Sequence, residues 1–536
     1  MRKIFIPLLS IMSLGLMLLT VSCTDNLEAT NKNPNLPQED QLLTYGLFNN
    51  ANKALMNAGR GAFSSGRMTL PWVQYSAQRN YTEEDRFQYR VSTGDAFFRD
   101  HYLIAKDYKT IIDLNTNPAT AIASAEYGNP QNQIAAARIM LAYTFSQLVD
   151  AFGDVPYYSY GNSDPDFQAL ELQSGNLTPK YASQAKIYTD LMKELKEASE
   201  MIVPGDDIFI NGDFLFQDTE KMKRFANSLR LRIANRVKGV IPAAAAHITD
   251  AIASGVMMSN NDTVGLTYEN SNVFPSPFYV SFYIDNRTDF AISNTFVDLL
   301  KGNLGTFGLD PRLQKYAAPI TANKFDVQAN SYVETNDLSK YRGMPYGIKT
   351  SQSAKQRPNT SFWSSNVLKK NYKEILIEYA EVEFLLSEND NWNNTNYQNG
   401  VKASMERWGV NPAAITTFLG TLQPANEANV ISQKYIALFM QPYEAWSEYR
   451  RTGFPNTLLQ PNGTYALNNS IPDPVDPVNN PPITTYVFEP LNGLTEMPTR
   501  LKYPFDSPRL NGVNYAAAVA NMGPDKLDTK LIWDTN

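Results

Sequence analysis

The sequence predicts a mainly α-helical chain, a scaffold of helix pairs carrying long irregular loops and a few short strands. Three observations lead there. Apolar residues recur at three- and four-residue steps over several long stretches, the signature of helices with one buried face. Between these stretches lie segments too rich in Pro, Asn, Tyr and Phe to continue a helix. The single cysteine, Cys23, follows a hydrophobic leader, which leaves no disulfide to staple the body.

The leader comes first. Arg2 and Lys3 give a positive start, and Ile4 to Val21 run apolar except for Pro7, Ser10, Ser13, Gly15 and Thr20. Small Ser22 precedes Cys23, as at the end of a cleavable export signal spanning residues 1–22. A cysteine at that point is a lipid acceptor in bacterial lipoproteins, although Thr20 and Val21 stand where that signal usually has Leu and a small residue. Each buried methylene contributes about 0.8 kcal/mol and one acyl chain holds only marginally, so several chains are needed for a stable anchor. Thr24 stands where an inner-membrane retention signal favours aspartate, which points to the outer membrane. Residues 23–40 are polar, with Asn31, Asn33, Pro34, Asn35 and Pro37, and read as a flexible tether. No later stretch approaches the roughly 18 apolar residues a spanning helix needs.

Composition narrows the chemistry. Residues 1–22 hold two basic and no acidic side chains, so their removal takes the formal charge from −7 to −9. Such a surface does not suit nucleic acid. The chain has only two histidines, His101 and His247, and no H-E-x-x-H, so a zinc enzyme is not expected. His101 follows Phe97 and Phe98 and reads as a packed side chain; His247 reads as a helix-surface residue. No G-x-S-x-G, P-loop or Rossmann glycine pattern occurs. Asp206, Asp207 and Asp213 invite a calcium reading, but the residues between them do not follow an EF-hand loop. No metal and no cofactor are assigned.

The helices follow in order. From Gln131 to Phe152, the residues Ile134, Arg138, Leu141, Phe145, Leu148 and Phe152 form one face, and Gly153 ends it. Lys186 to Met201 repeats the pattern through Ile187, Leu191, Leu195 and Ala198. Thr219 to Val237 does so through Met222, Phe225, Leu229 and Ile233. Ile375, Tyr379, Val382 and Leu386 mark another helix. Ile431, Tyr435 and Leu438 begin one more, which Pro442 should kink or break before Ala445 to Arg450. Short strands are expected at Val264 to Tyr268 and Thr484 to Phe488. The long stretches Asn261–Ser293, Asn303–Phe362 and Gln460–Pro508 read as ordered, functional loops. The helix pairs suggest a tetratricopeptide-like scaffold, although no clean 34-residue self-similarity is present.

The helices also carry recognisable wording. Ala137-Arg138, Tyr143, Leu148 and Phe152-Gly153-Asp154-Val155-Pro156-Tyr157 resemble the hallmark of SusD/RagB-like outer-membrane lipoproteins. Lys223 to Arg232 is similar to that family's "KFANSLRLR" helix, without the usual preceding Trp. Tyr379 to Glu388 resembles its "AE..FLLAEA" helix. Gln433-Lys434-Tyr435 through Glu444-Ala445-Trp446 to Arg450-Arg451-Thr452-Gly453 resembles its "QK…EAW.E.RRTG" segment. Pro498 to Pro504, Asn511, Asn514-Tyr515 and Ile532-Trp533-Asp534 complete the pattern, in order from Cys23 to the C-terminus.

The resemblance implies one helical ligand-binding domain over residues 41–536 and no enzyme activity. It implies a cell-surface lipoprotein that captures a nutrient oligomer and acts as the lid of a SusC-like TonB-dependent transporter. The cargo is an oligosaccharide or an oligopeptide, with glycan favoured because aromatics outnumber clustered acids in the loops. Arg138, Arg230, Glu381, Glu383, Glu444 and Arg450 sit mid-helix at packing spacing and read as buried ionic networks. The competing reading makes the acids the carboxylate pair of a glycan hydrolase, which requires them to face each other across an open cleft. Sugar rings pack their C–H faces on aromatic rings, and their hydroxyls need Asn, Asp or Arg partners. The candidate ligand contacts are therefore Trp72, Tyr75, Tyr81, Arg86 and Tyr89 in the first aromatic loop. Tyr283, Asn286 and Arg287 follow in the second, and Arg342, Tyr346 and Trp363 in the third. Against each stands the ordinary fate of a loop aromatic, which is to pack on its own scaffold.

Overall fold

A computed structural model describes residues 42–171, 175–210 and 212–534; the signal, Cys23 and the tether lie outside them. The first half is a run of helices, each packed on the next. These are α1 (Thr44–Arg60), α2 (Val91–Thr116), α3 (Pro130–Phe152), α4 (Gln184–Glu200), α5 (Thr219–Val237) and α6 (Ala244–Ala253). The second half adds α7 (Tyr379–Asn389), α8 (Asn394–Arg407), α9 (Glu427–Ala437) and α10 (Pro442–Thr452), with α7 packed on α5, α8 and α9. This stacking of helix pairs is the tetratricopeptide-like scaffold. Among the described residues no helix is long and apolar enough to cross a membrane.

Local chemistry sets the helix ends. Asn129 caps α3 by accepting the Gln131 and Asn132 N–H groups, and Pro130 occupies the first helical position, where its missing donor costs nothing. Gly153 stops the helix at φ +85°, and a Cβ there would fall 2.4 Å from the Met522 sulfur. Asp154 then accepts the Gln184 N–H at 2.9 Å, tying the exit of α3 to the start of α4. Pro442 separates α9 from α10 and starts the latter, as expected.

Among the described residues six short strands form three antiparallel pairs. They are β1 (Ser76–Gln78) with β3 (Phe290–Ile292), β2 (Val264–Thr267) with β4 (Lys373–Ile377), and β5 (Thr464–Ile471) with β6 (Ile483–Val487). Ile375 is thus not on the helix that the periodicity assigned it to. It lies in β4 opposite Gly265, and α7 begins only at Tyr379. The three consecutive apolar residues Ile375, Leu376 and Ile377 suit a buried strand as well as a helix, which is why spacing alone misplaced Ile375.

Ion pairs join the helices. Arg138 grips Glu194 through two bonds of 3.1 and 2.8 Å, Arg230 reaches Asp250 at 2.7 Å, and Arg232 holds Glu381 through its Nε at 2.6 Å. Arg236 bridges Asp150 and Glu444. Arg450 satisfies the Asp150 and Thr499 carbonyls at 2.9 and 2.7 Å, and Glu383 accepts the Tyr379 hydroxyl. Glu381 and Glu444 are buried with their oxygens committed to arginines, so they do not face each other across a cleft.

Candidate ligand-binding site

The pairing of β1 with β3, in which Gln78 faces Phe290, lays the loop at 79–89 against residues 285–289. Asp289 fastens the two. Its carboxylate accepts the Asn80 amide at 2.9 Å and the Arg287 Nε at 3.0 Å, while its carbonyl accepts the Arg79 N–H. Arg67 stands 3.6 Å from Asp289 and 3.5 Å from Glu84. Burial pushes the Arg67 guanidinium down and the Glu84 carboxyl up, each partly offset by the other. Burial, with Arg357 nearby, also takes Arg79 down to about 10, and its guanidinium lies 4.5 Å from the Phe362 ring centre.

Aromatic rings stand on this base. Tyr81 is 51 % exposed, with the Arg287 guanidinium 5.9 Å from its ring centre. Its φ is +56° and that of Asn286 is +54°, a left-handed region that bulky side chains rarely adopt. Such outliers cluster where a ligand site is shaped. Tyr279 and Tyr283 lie with ring centres 4.9 Å apart, and Gln328 donates to the Tyr279 hydroxyl at 3.1 Å. Asn286 accepts the Lys324 amine, beside which Phe325 is 66 % exposed. Phe63, 57 % exposed, lies 4.6 Å from the Arg67 guanidinium at the mouth of a groove of about 370 Å³. Pro277, Asp285, Arg287 and Phe290 are among the residues lining that groove. Flat apolar faces beside charged donors and acceptors are what a sugar ring with hydroxyls requires.

The sequence candidates divide into three groups. Tyr81, Tyr283, Asn286 and Arg287 gather around this surface. Arg86 and Tyr89 turn to another part of the chain, donating to the Glu489 carbonyl at 2.8 Å and the Lys502 carbonyl at 3.4 Å, while half-buried Arg342 pairs through its main chain with Ser361. Trp72, Tyr75, Tyr346 and Trp363 are fully buried, and this corrects their expected role. Trp72 packs 5.2 Å from Trp446, Tyr75 stacks at 4.6 Å on Tyr435, Tyr346 meets Phe488 at 5.4 Å, and Trp363 stacks at 5.9 Å on Phe290. With no face left over they support the loops rather than touch a ligand.

Phe63, Arg67, Asp289 and Phe325 were not among the sequence candidates; they join the surface through chain-distant packing. Tyr279, in the second aromatic loop four residues before Tyr283, stands beside it. Asp213 accepts the Leu215, Phe216 and Gln217 N–H groups, and Asp206 accepts the Asn129 amide. Among the described residues no group of three His, Cys, Asp or Glu side chains is placed to hold a metal ion.

A family model described as SusD-like, starch-binding associating with outer membrane, matches residues 34–475. No curated protein matches the sequence. Among solved structures, a chitin-binding protein is 24 % identical with a TM-score of 0.69, the match covering 92 % of this chain and 100 % of that one. A chitin-binding SusD homolog from Flavobacterium johnsoniae is 22 % identical with a TM-score of 0.65, over 92 % and 99 % of the two chains. A SusD homolog from Bacteroides ovatus is 20 % identical with a TM-score of 0.67, over 92 % and 99 %. At these identities the likeness establishes the fold.

Proposed function

The chain belongs to the SusD-like family of non-catalytic, outer-membrane nutrient-binding proteins that work with SusC-type transporters, and from that premise we propose that its cargo is a glycan held by the loops around Tyr81. The observation that carries this reading is the exposed Tyr81 ring, held at φ +56° beside Arg287 over a base fixed by Asp289. Tyr279, Tyr283 and Phe325 extend the aromatic surface, so several sugar units can each find a ring. Two of the similar structures are chitin-binding proteins, which makes a β-linked N-acetylglucosamine oligomer the first ligand to try. In this reading Cys23 carries the lipid, the tether holds the lid at high effective concentration beside the transporter, and closure passes the cargo inward without covalent chemistry.

Calorimetry against chito-oligosaccharides, malto-oligosaccharides and a peptide mixture tests the cargo. Saturable sugar binding lost in Tyr81→Ala supports it; binding to peptides with no sugar response overturns it in favour of oligopeptide capture. Cys23→Ala should release the protein from membranes, and full retention of that variant would refute the anchor.

A further inference from the structure

A second cavity, of about 510 Å³, opens between α1, the loop before α5, and the β2–β4 pair. Its walls are apolar where Phe214, Leu215, Leu266 and Phe274 face it, and three lysines from three elements line it. Lys53 comes from α1, Lys221 from the first turn of α5, and Lys373 from β4. Among the described residues none of the three lies within ion-pair distance of a carboxylate. Lys373 donates to the Thr263 carbonyl at 3.0 Å, and the Lys53 amine lies 3.3 Å from the Phe274 ring centre. The one carboxylate lining the cavity, Glu269, accepts the Ser271 hydroxyl at 2.9 Å. Nearby Asp213 commits its oxygens to main-chain amides.

We propose that this cavity is a separate binding site for a small organic anion, a carboxylate on a flat apolar body. The three amines supply the countercharge and Phe214 and Phe274 take the ring. A net surplus of cations on a partly buried wall is costly unless an anion enters. Lys373 registers the cost: burial, with Lys221 and Arg407 pushing the same way, takes its amine down to about 8. In a chain of net charge −7 such a cationic concavity is not explained by overall composition. The site is distinct from the Tyr81 surface, although Phe274 lines both this cavity and the groove below Phe63. The ligand differs in chemistry from a neutral glycan, so the two readings fail independently.

Dansylglycine, an aromatic carboxylate, and its neutral counterpart dansylamide test the proposal by fluorescence titration of the full chain. The expected result is saturable one-to-one binding of dansylglycine, with dansylamide at least tenfold weaker. Lys373→Met and Lys221→Met each weaken it at least tenfold, Lys373→Arg retains it, and Tyr81→Ala leaves it unchanged. Equal affinity for the neutral probe, unchanged affinity in both methionine variants, or no saturation at millimolar probe overturns the proposal. Should Lys373→Met not fold, Lys53→Gln and Lys221→Gln carry the same test.

Discussion

Asn80 donates to the Asp289 carboxylate at 2.9 Å across 209 positions of sequence, and this bond sets the separation of the two loops that form the candidate site. Asp289 also holds Arg287 beside the Tyr81 ring. Asp289→Ala frees both partners and leaves Arg67 with Glu84 alone. Removing a charged hydrogen-bond partner costs about 1–3 kcal/mol. We expect glycan affinity to fall roughly tenfold by calorimetry, since about 1.4 kcal/mol corresponds to a factor of ten. Unaltered affinity in a folded Asp289→Ala protein would show that the loops need no such fastening.

Exposed and buried rings should separate cleanly on substitution. Tyr81→Ala removes a half-exposed ring in a left-handed conformation and should leave the melting temperature within a degree or two, while sugar binding drops at least tenfold. Trp363→Ala empties a fully buried site against Phe290 and Phe278. Truncations of that kind cost about 3–5 kcal/mol, and urea unfolding should show it. The two assignments would be exchanged if Tyr81→Ala unfolded early and Trp363→Ala bound poorly at native stability.

How far the sequence reveals this molecule can be judged from particular elements. α5 is legible to its ends because Asp218 caps it and its apolar face runs unbroken from Met222 to Ile233. α2, the longest helix, escaped periodicity because His101 and Asn115 occupy its buried face, where a hydropathy pattern expects apolar residues. His101 is packed as expected, stacked on Phe97 with ring centres 3.9 Å apart, and burial takes it down to about 4. The candidate site was half legible. Loop composition pointed to Tyr81, Tyr283, Asn286 and Arg287, but composition cannot tell a ring that faces solvent from Trp363 in a loop of similar make-up. That distinction depends on the β1–β3 pairing and on Asp289, contacts between residues more than two hundred positions apart.

Stability should carry the mark of Glu374. Its carboxyl is buried, 3.7 Å from the Arg60 guanidinium, whose own bonds go to the Met440 and Ile375 carbonyls. Burial raises it from 4.5 to about 7, against the pull of Arg60. Between those values the folded chain binds a proton that the unfolded chain has released, so stability falls as pH rises from 4.5 to 7. Glu374→Gln removes the titration and should be the more stable protein at pH 8, by up to ~3 kcal/mol, with no such gain at pH 4.5. Urea midpoints of parent and variant at both pH values check it. A gain of equal size at both would assign the effect to packing instead.

The ionic core offers the opposite case, where a charge is indispensable because its partners cannot leave. Arg236 bridges Asp150 on α3 to Glu444 on α10, with Trp533 5.7 Å from its guanidinium. Burial pushes the Glu444 carboxyl up, but Arg236 and Arg232 outweigh it and hold the group below its ordinary value. Glu444 therefore contributes stability above the unfolded carboxylate range, lost as pH falls through its lower folded value. Arg236→Met keeps volume and removes the charge, leaving two buried carboxylates poorly compensated, at a cost of about 3–5 kcal/mol. Because those carboxylates can escape the cost by taking up protons, the loss relative to parent should be largest at pH 7 and smaller near pH 4. Adding Glu444→Gln to Arg236→Met removes one stranded charge and should recover part of the loss at pH 7. If the single variant lost as much at pH 4 as at pH 7, and the double recovered nothing, the role of Arg236 would be packing against Trp533 rather than neutralising Asp150 and Glu444.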